Sequence, residues 1–102
     1  MDLIKHLYRM KKFSKATFGP GRRTEGVIDH IRKELIEVEY DPLALEEWID
    51  VAILALDGAW RAGYTPEEIS AGLEAKQTKN ENRIWPSWEN AEPGKAIEHI
   101  RT

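Results

Sequence analysis

The stretch TEGVIDHIRKELIEVEYDPLALEEWIDVAILALDGAWRA, residues 24–62, decides the fold. In its first half Ile28, Ile31, Leu35 and Val38 recur at heptad-like spacing, so one face packs. The segment reads as a helix from Thr24, its expected N-cap, to about Glu39. Asp41-Pro42 reads as the next start, an N-cap acid followed by proline at the first helical position. The helix it opens is expected to run to about Ala62, with Gly63 as its stop, and carries apolar residues on nearly every side from Trp48 to Leu56. Two helices joined by so short a connection make an antiparallel hairpin.

Outward from the hairpin the turn signals mark two more helices. Leu3 to about Ala16 lacks Gly and Pro and lines up Leu3, Leu7 and Met10, until Phe18-Gly19-Pro20-Gly21 ends it. Thr65-Pro66-Glu67-Glu68 is a capping box with proline at N1, opening a fourth helix expected to reach about Arg83, before Trp85-Pro86. Its inward stripe begins with Ile69, Gly72 and Leu73, and Gly72 would let a neighbouring helix approach closely. Ala96–Arg101 reads as one or two further helical turns. No segment alternates with period two, and no repeat or low-complexity stretch occurs. The expected fold is all-α, a single domain over 1–102 built as a bundle of four main helices.

Composition narrows the function. The chain has 102 residues with 41% hydrophobic and 32% charged, polar enough to suggest strongly charged outer faces or a core shared between chains. Four Trp, three Tyr and two Phe exclude intrinsic disorder. The absence of cysteine removes disulfide scaffolds, thiol catalysis, zinc fingers and iron–sulfur centres. No run approaches the roughly 18 apolar residues of a membrane span, and Met1–Met10, broken by Asp2, Lys5 and Arg9, does not read as a secretory signal. The expected address is the cytoplasm. The net charge of −3 hides a strong partition. Residues 1–23 hold seven bases and one acid, while 24–60 hold ten acids and two bases. The acidic middle argues against nucleic acid as a partner unless a metal ion neutralises it.

Four of those acids form a pattern. Glu34 and Glu37 on one helix, and Glu47 and Asp50 on the other, are each spaced i, i+3, so each pair leaves one side of its helix. An antiparallel hairpin lets all four converge. An ExxE pair is most often a solvated face, and Glu34 with Glu37 keeps that reading open. Asp50 is more telling: it lies in the apolar run 48–56, with Leu54 one turn away, and a carboxylate buried there needs a partner. With Arg32 and Lys33 the only bases nearby, a divalent cation is the better one. All-oxygen ligands point to Mg²⁺ or Mn²⁺. No EF-hand loop is present, and His30 is not placed as a Glu-x-x-His iron ligand.

A second pattern is cationic. Continuing the stripe of the fourth helix past Leu73 reaches Lys76, Asn80 and Arg83, with Lys79 on its border. These residues are either a solvated extension or, with a metal held by the acids, the groups that neutralise a polyphosphate. His30, four residues before Glu34, either contacts substrate or is satisfied by that carboxylate.

Lys33-Glu34-Leu35-Ile36-Glu37 followed by Glu47-Trp48-Ile49-Asp50 resembles the metal motif of the all-α MazG-type nucleoside triphosphate pyrophosphohydrolases, with Lys33 in place of the first Glu of EExxE. Phe18-Gly19-Pro20-Gly21-Arg22-Arg23-Thr24 and the block from Lys76 to Pro86 resemble its dATP/dGTP diphosphohydrolase branch, which includes the phage MazZ-like enzymes. The likeness runs from about Phe13 to the tail. It implies hydrolysis of a (d)NTP to the monophosphate and pyrophosphate, favouring purine deoxynucleotides and dGTP foremost. It implies two to three Mg²⁺ or Mn²⁺ ions on Glu34, Glu37, Glu47 and Asp50, with Glu37 or Glu34 orienting the water. It further implies phosphate contacts from Lys76, Lys79, Asn80 and Arg83. The partner it implies is another copy of the chain, in a dimer or a tetramer built from dimers with the tetramer favoured, and a role in pool control or modified-purine phage DNA synthesis. The alternative is a non-catalytic nucleotide-binding or helical interaction module.

Overall fold

A computed structural model describes residues 1–101, and among them all regular structure is helical. The chain divides into two compact units, Met1–Ala71 and the residues from Gly72 onward.

In the first unit, helix α1 spans Leu3–Phe18, α2 spans Thr24–Tyr40 and α3 spans Leu45–Arg61; α4, Pro66–Glu81, begins there. Asp2 caps α1 by accepting the Lys5 N–H at 3.1 Å, and Gly19, at φ 94°, ends it in a conformation that side chains resist. The capping box forms as expected. Thr65 Oγ1 accepts the Glu68 N–H at 3.1 Å, and Glu68 returns its carboxylate to the Thr65 N–H at 3.0 Å.

Helices α2 and α3 pack as an antiparallel hairpin, Val27 lying against Gly58 at one end and Glu34 opposite Glu47 and Asp50 at the other. The connection differs from the expected cap-and-proline start. Thr24 is the first residue of α2, and Arg23, in the N-cap position, makes no side-chain cap. Asp41 ends α2, its N–H bonding to Glu37 O, and Asp41–Ala44 forms a turn closed by Ala44 N–H to Asp41 O at 3.2 Å. The Trp48 indole donates to Pro42 O at 2.8 Å, which fastens the turn to α3 and delays the helix to Leu45.

The packing stripe of α2 is also rotated from the expected one. Val27, Ile31, Glu34 and Val38 face inward, whereas Ile28 and Leu35 are more than two-fifths exposed. On α3 the matching heptad is Glu47, Val51, Leu54, Gly58 and Arg61. The register that packs the hairpin therefore carries one carboxylate inward on each helix.

Helix α1 is tied to α3 by a buried polar cluster. Arg61 Nε donates to Asp57 Oδ2 at 2.7 Å, its Nη1 donates to Gly19 O and Gly21 O at 2.9 Å each, and its Nη2 donates to Ser14 Oγ at 2.9 Å. The Trp60 indole fills the other Asp57 oxygen at 2.8 Å. Every carbonyl of the Gly19–Gly21 turn that this guanidinium reaches is one that helix α1 or the turn itself cannot satisfy.

In the second unit α4 stops at Glu81, two residues short of the expected end. A short 3₁₀ turn follows at Trp88–Asn90. Ala96–Arg101 is not helical; Ile100 N–H instead bonds to Ile84 O at 2.7 Å. Gly72 serves no close approach, since a side-chain carbon added there would meet nothing within 4 Å.

Candidate active site

Glu34 comes from the middle of α2, and Glu47 and Asp50 come from the first turns of α3. One carboxylate oxygen from each lies within 4.8 Å of the other two. Glu34 and Glu47 are half-buried because the hairpin heptad turns them inward, and Asp50, off that heptad, is exposed. The expectation of a buried Asp50 is thus corrected. Its apolar neighbours Ile49 and Ile53 are themselves open, since a single chain leaves that side of α3 uncovered. Glu37, a turn beyond Glu34, is exposed and stands outside the trio, but its charge reaches Glu47.

Desolvation pushes the Glu47 carboxyl above its ordinary range, and the charges of Glu37, Asp50, Glu46 and Glu34 push it further the same way. Among the described residues no Lys or Arg forms an ion pair with any of the four acids. Lys33 pairs instead with Asp29 at 3.4 Å. The crowding is consequently unrelieved, and a hard divalent cation with oxygen ligands is the group whose chemistry fits it.

His30 Nε2 lies 3.3 Å from Glu34 Oε1, and the Phe18 ring meets the imidazole edge-on at 6.2 Å. Both readings of His30 thereby retain support: it is satisfied by the carboxylate, and it stands beside the trio. Lys76, Lys79, Asn80 and Arg83 form a local set in the second unit. Arg83 Nη1 donates to Asn80 Oδ1 at 3.0 Å, the Trp85 indole donates to Asn80 O at 2.7 Å, and both lysines are exposed.

Two features lay outside the sequence reading. One is the Asp57–Arg61 cluster, whose signal was an acid and a base four residues apart at the close of an apolar helix. The other is a cavity of about 660 Å³ between α1, α2 and α3, which includes His30 in its wall. Its lining is scattered over three helices, and no local pattern announces it.

Helical hairpin and acid trio together define an all-α protein with three carboxylates clustered between facing helices. More specifically, the chain belongs to the dATP/dGTP pyrophosphohydrolase family, whose profile matches residues 6–102. It is a hydrolase of the kind that releases pyrophosphate. No curated protein and no solved structure matches the chain.

Proposed function

We propose that the protein is a metal-dependent hydrolase of purine deoxynucleoside triphosphates, with dGTP as its preferred substrate ahead of dATP and GTP. The carrying observation is the trio: three carboxylates from facing helices, within 4.8 Å, with no Lys or Arg paired to them among the described residues. In the reaction the oxygen of a water bonds to the α-phosphorus, the bond from that phosphorus to the α–β bridging oxygen breaks, and pyrophosphate departs. Glu34, Glu47 and Asp50, with Glu37, are the residues to hold two to three Mg²⁺ or Mn²⁺ ions. When bound, such ions neutralise phosphate oxygens and acidify water. Glu37, exposed and close enough for its charge to act on Glu47, is assigned to accept the water's proton, with Glu34 as its alternate. Lys76, Lys79, Asn80, Arg83 and His30 are assigned to the phosphate oxygens, the first four on charge and helix spacing and His30 on its contact with Glu34. The working form is a homo-oligomer, a tetramer of paired dimers, acting in the cytoplasm on the nucleotide pool or on the supply of a modified purine for phage DNA.

An ion-exchange assay of products from the eight common NTPs and dNTPs, with Mg²⁺, Mn²⁺ or EDTA, tests this reading. The expected result is monophosphate plus pyrophosphate, only with metal, and fastest with dGTP. Release of diphosphate and orthophosphate, or equal rates in EDTA, overturns it.

A further inference from the structure

We infer that the cavity between α1, α2 and α3 is the subsite for the purine nucleoside half of the substrate, an assignment that rests on the reading just proposed. About 660 Å³ lies within the usual size of small-molecule sites. Phe18, His30 and Trp60 supply three aromatic faces or edges, with Leu54 and Val27 beside them, and a flat heteroaromatic ring is the ligand such walls accept. Arg9, Arg23 and the Lys33–Asp29 ion pair also line it and are exposed, so the cavity is apolar within and, through the two arginines, net cationic where it meets water. That charge complements a ligand with an apolar ring at one end and phosphates at the other.

The cavity is also connected to the trio by contact. The Arg23 guanidinium lies over the Phe18 ring at 6.0 Å, Phe18 meets His30 at 6.2 Å, and His30 reaches Glu34 at 3.3 Å. A nucleotide with its base against Phe18 and His30 thus has its phosphate end directed to the carboxylates past a single side chain. The buried Arg61 ties to Ser14, Gly19 and Gly21 hold the wall that carries Phe18.

Gly26 offers the test, because it lines the cavity and a side-chain carbon added there meets only the movable end of Arg23, at 3.1 Å. Gly26→Leu fills the cavity from a helical position where leucine is the better helix former. Phe18→Ala removes a wall instead, and circular dichroism checks that both variants fold. The expected result is a KM for dGTP raised at least tenfold in each variant with kcat changed less than threefold. Inhibition by inorganic tripolyphosphate, which has no base, should stay unchanged. In metal-free protein, calorimetry should detect deoxyguanosine binding to the wild type and to Asp50→Asn, weakened at least tenfold in Gly26→Leu. An unaltered KM in folded variants, or deoxyguanosine bound equally by Gly26→Leu, overturns the subsite while leaving the proposed reaction intact. Absence of pyrophosphate release by the wild type, with nucleoside binding still lost in Gly26→Leu, sinks the reaction and keeps the subsite.

Discussion

At the residue scale the decisive position is Asp50. Its neighbours in sequence are apolar, and burial was the natural inference, but burial depends on what covers a helix rather than on the helix itself. Glu34 and Glu47 are the acids that the hairpin heptad turns inward, and Asp50 joins them from the flank. Asp50→Asn keeps the volume and removes one charge from a crowd that already pushes Glu47 upward. The variant should therefore keep its helical circular dichroism and lose no stability to urea, while pyrophosphate release falls by about 100-fold or more, the scale of loss for disturbed metal ligation. Near-normal turnover would remove Asp50 from the site. The ExxE and ExxD spacing was legible because helix geometry alone brings each pair to one side. The inward residue of each pair was not, because rotation of α2 by one position exchanges Ile28 and Leu35 for Val27 and Glu34, and both stripes have the same period.

At the element scale, helices are joined by polar ties that local signals describe unequally. The Thr65–Glu68 box lies within four residues, and reading it needed no partner. Asp41-Pro42 is equally local, yet the Trp48 indole on Pro42 O turns it into a separate turn. Arg61 acts at greater range, binding positions 40 to 47 residues away. Because both partners are buried, Arg61→Met strands the Asp57 charge and removes the donors of the Gly19–Gly21 turn. It should cost about 3–5 kcal/mol in chemical denaturation, and a loss below 1 kcal/mol would mean the cluster is dispensable. A weaker tie joins α1 to the start of α4, where the Tyr8 hydroxyl donates to Glu67 at 2.8 Å. That bond holds the Glu67 carboxyl below its ordinary 4.5 and the Tyr8 hydroxyl above its ordinary 10.0. The Glu67 contribution is complete above 4.5 and is lost as pH falls through its lower folded value; the Tyr8 contribution is complete below 10.0 and is lost as pH rises through its raised one. Denaturation of wild type and Tyr8→Phe across pH should show a stability difference that is level between these limits and closes at both ends. A difference independent of pH in acid would show that Glu67 gains nothing from the hydroxyl.

At the scale of the whole molecule the chain is poor in interior. Leu7, Val27, Val38, Pro66 and Ile69 are its only large buried apolar side chains among the described residues, while Leu35, Ile36, Trp48, Ile49 and Ile53 stand open on α2 and α3. A helix apolar nearly all round, as α3 is, belongs in an interior, and one chain supplies too little cover for it. Contiguous apolar surface of this kind marks association, and the cheapest self-complementary partner is a second copy related by a two-fold axis. The same shortage explains why the four-helix character was readable from caps and periodicity while the burial of particular residues was not: the pattern encodes faces that this chain alone does not close. With two such pairs joined in the proposed tetramer, light scattering after size exclusion should give about four times the 11.8 kDa of one chain. Ile49→Glu with Ile53→Glu places two charges on the open face of α3, one turn apart, and should shift the protein to smaller species that bind a hydrophobic dye. If the wild type runs as a monomer at micromolar concentration, or if the double variant keeps the wild-type mass, the exposed face of α3 is not where copies meet.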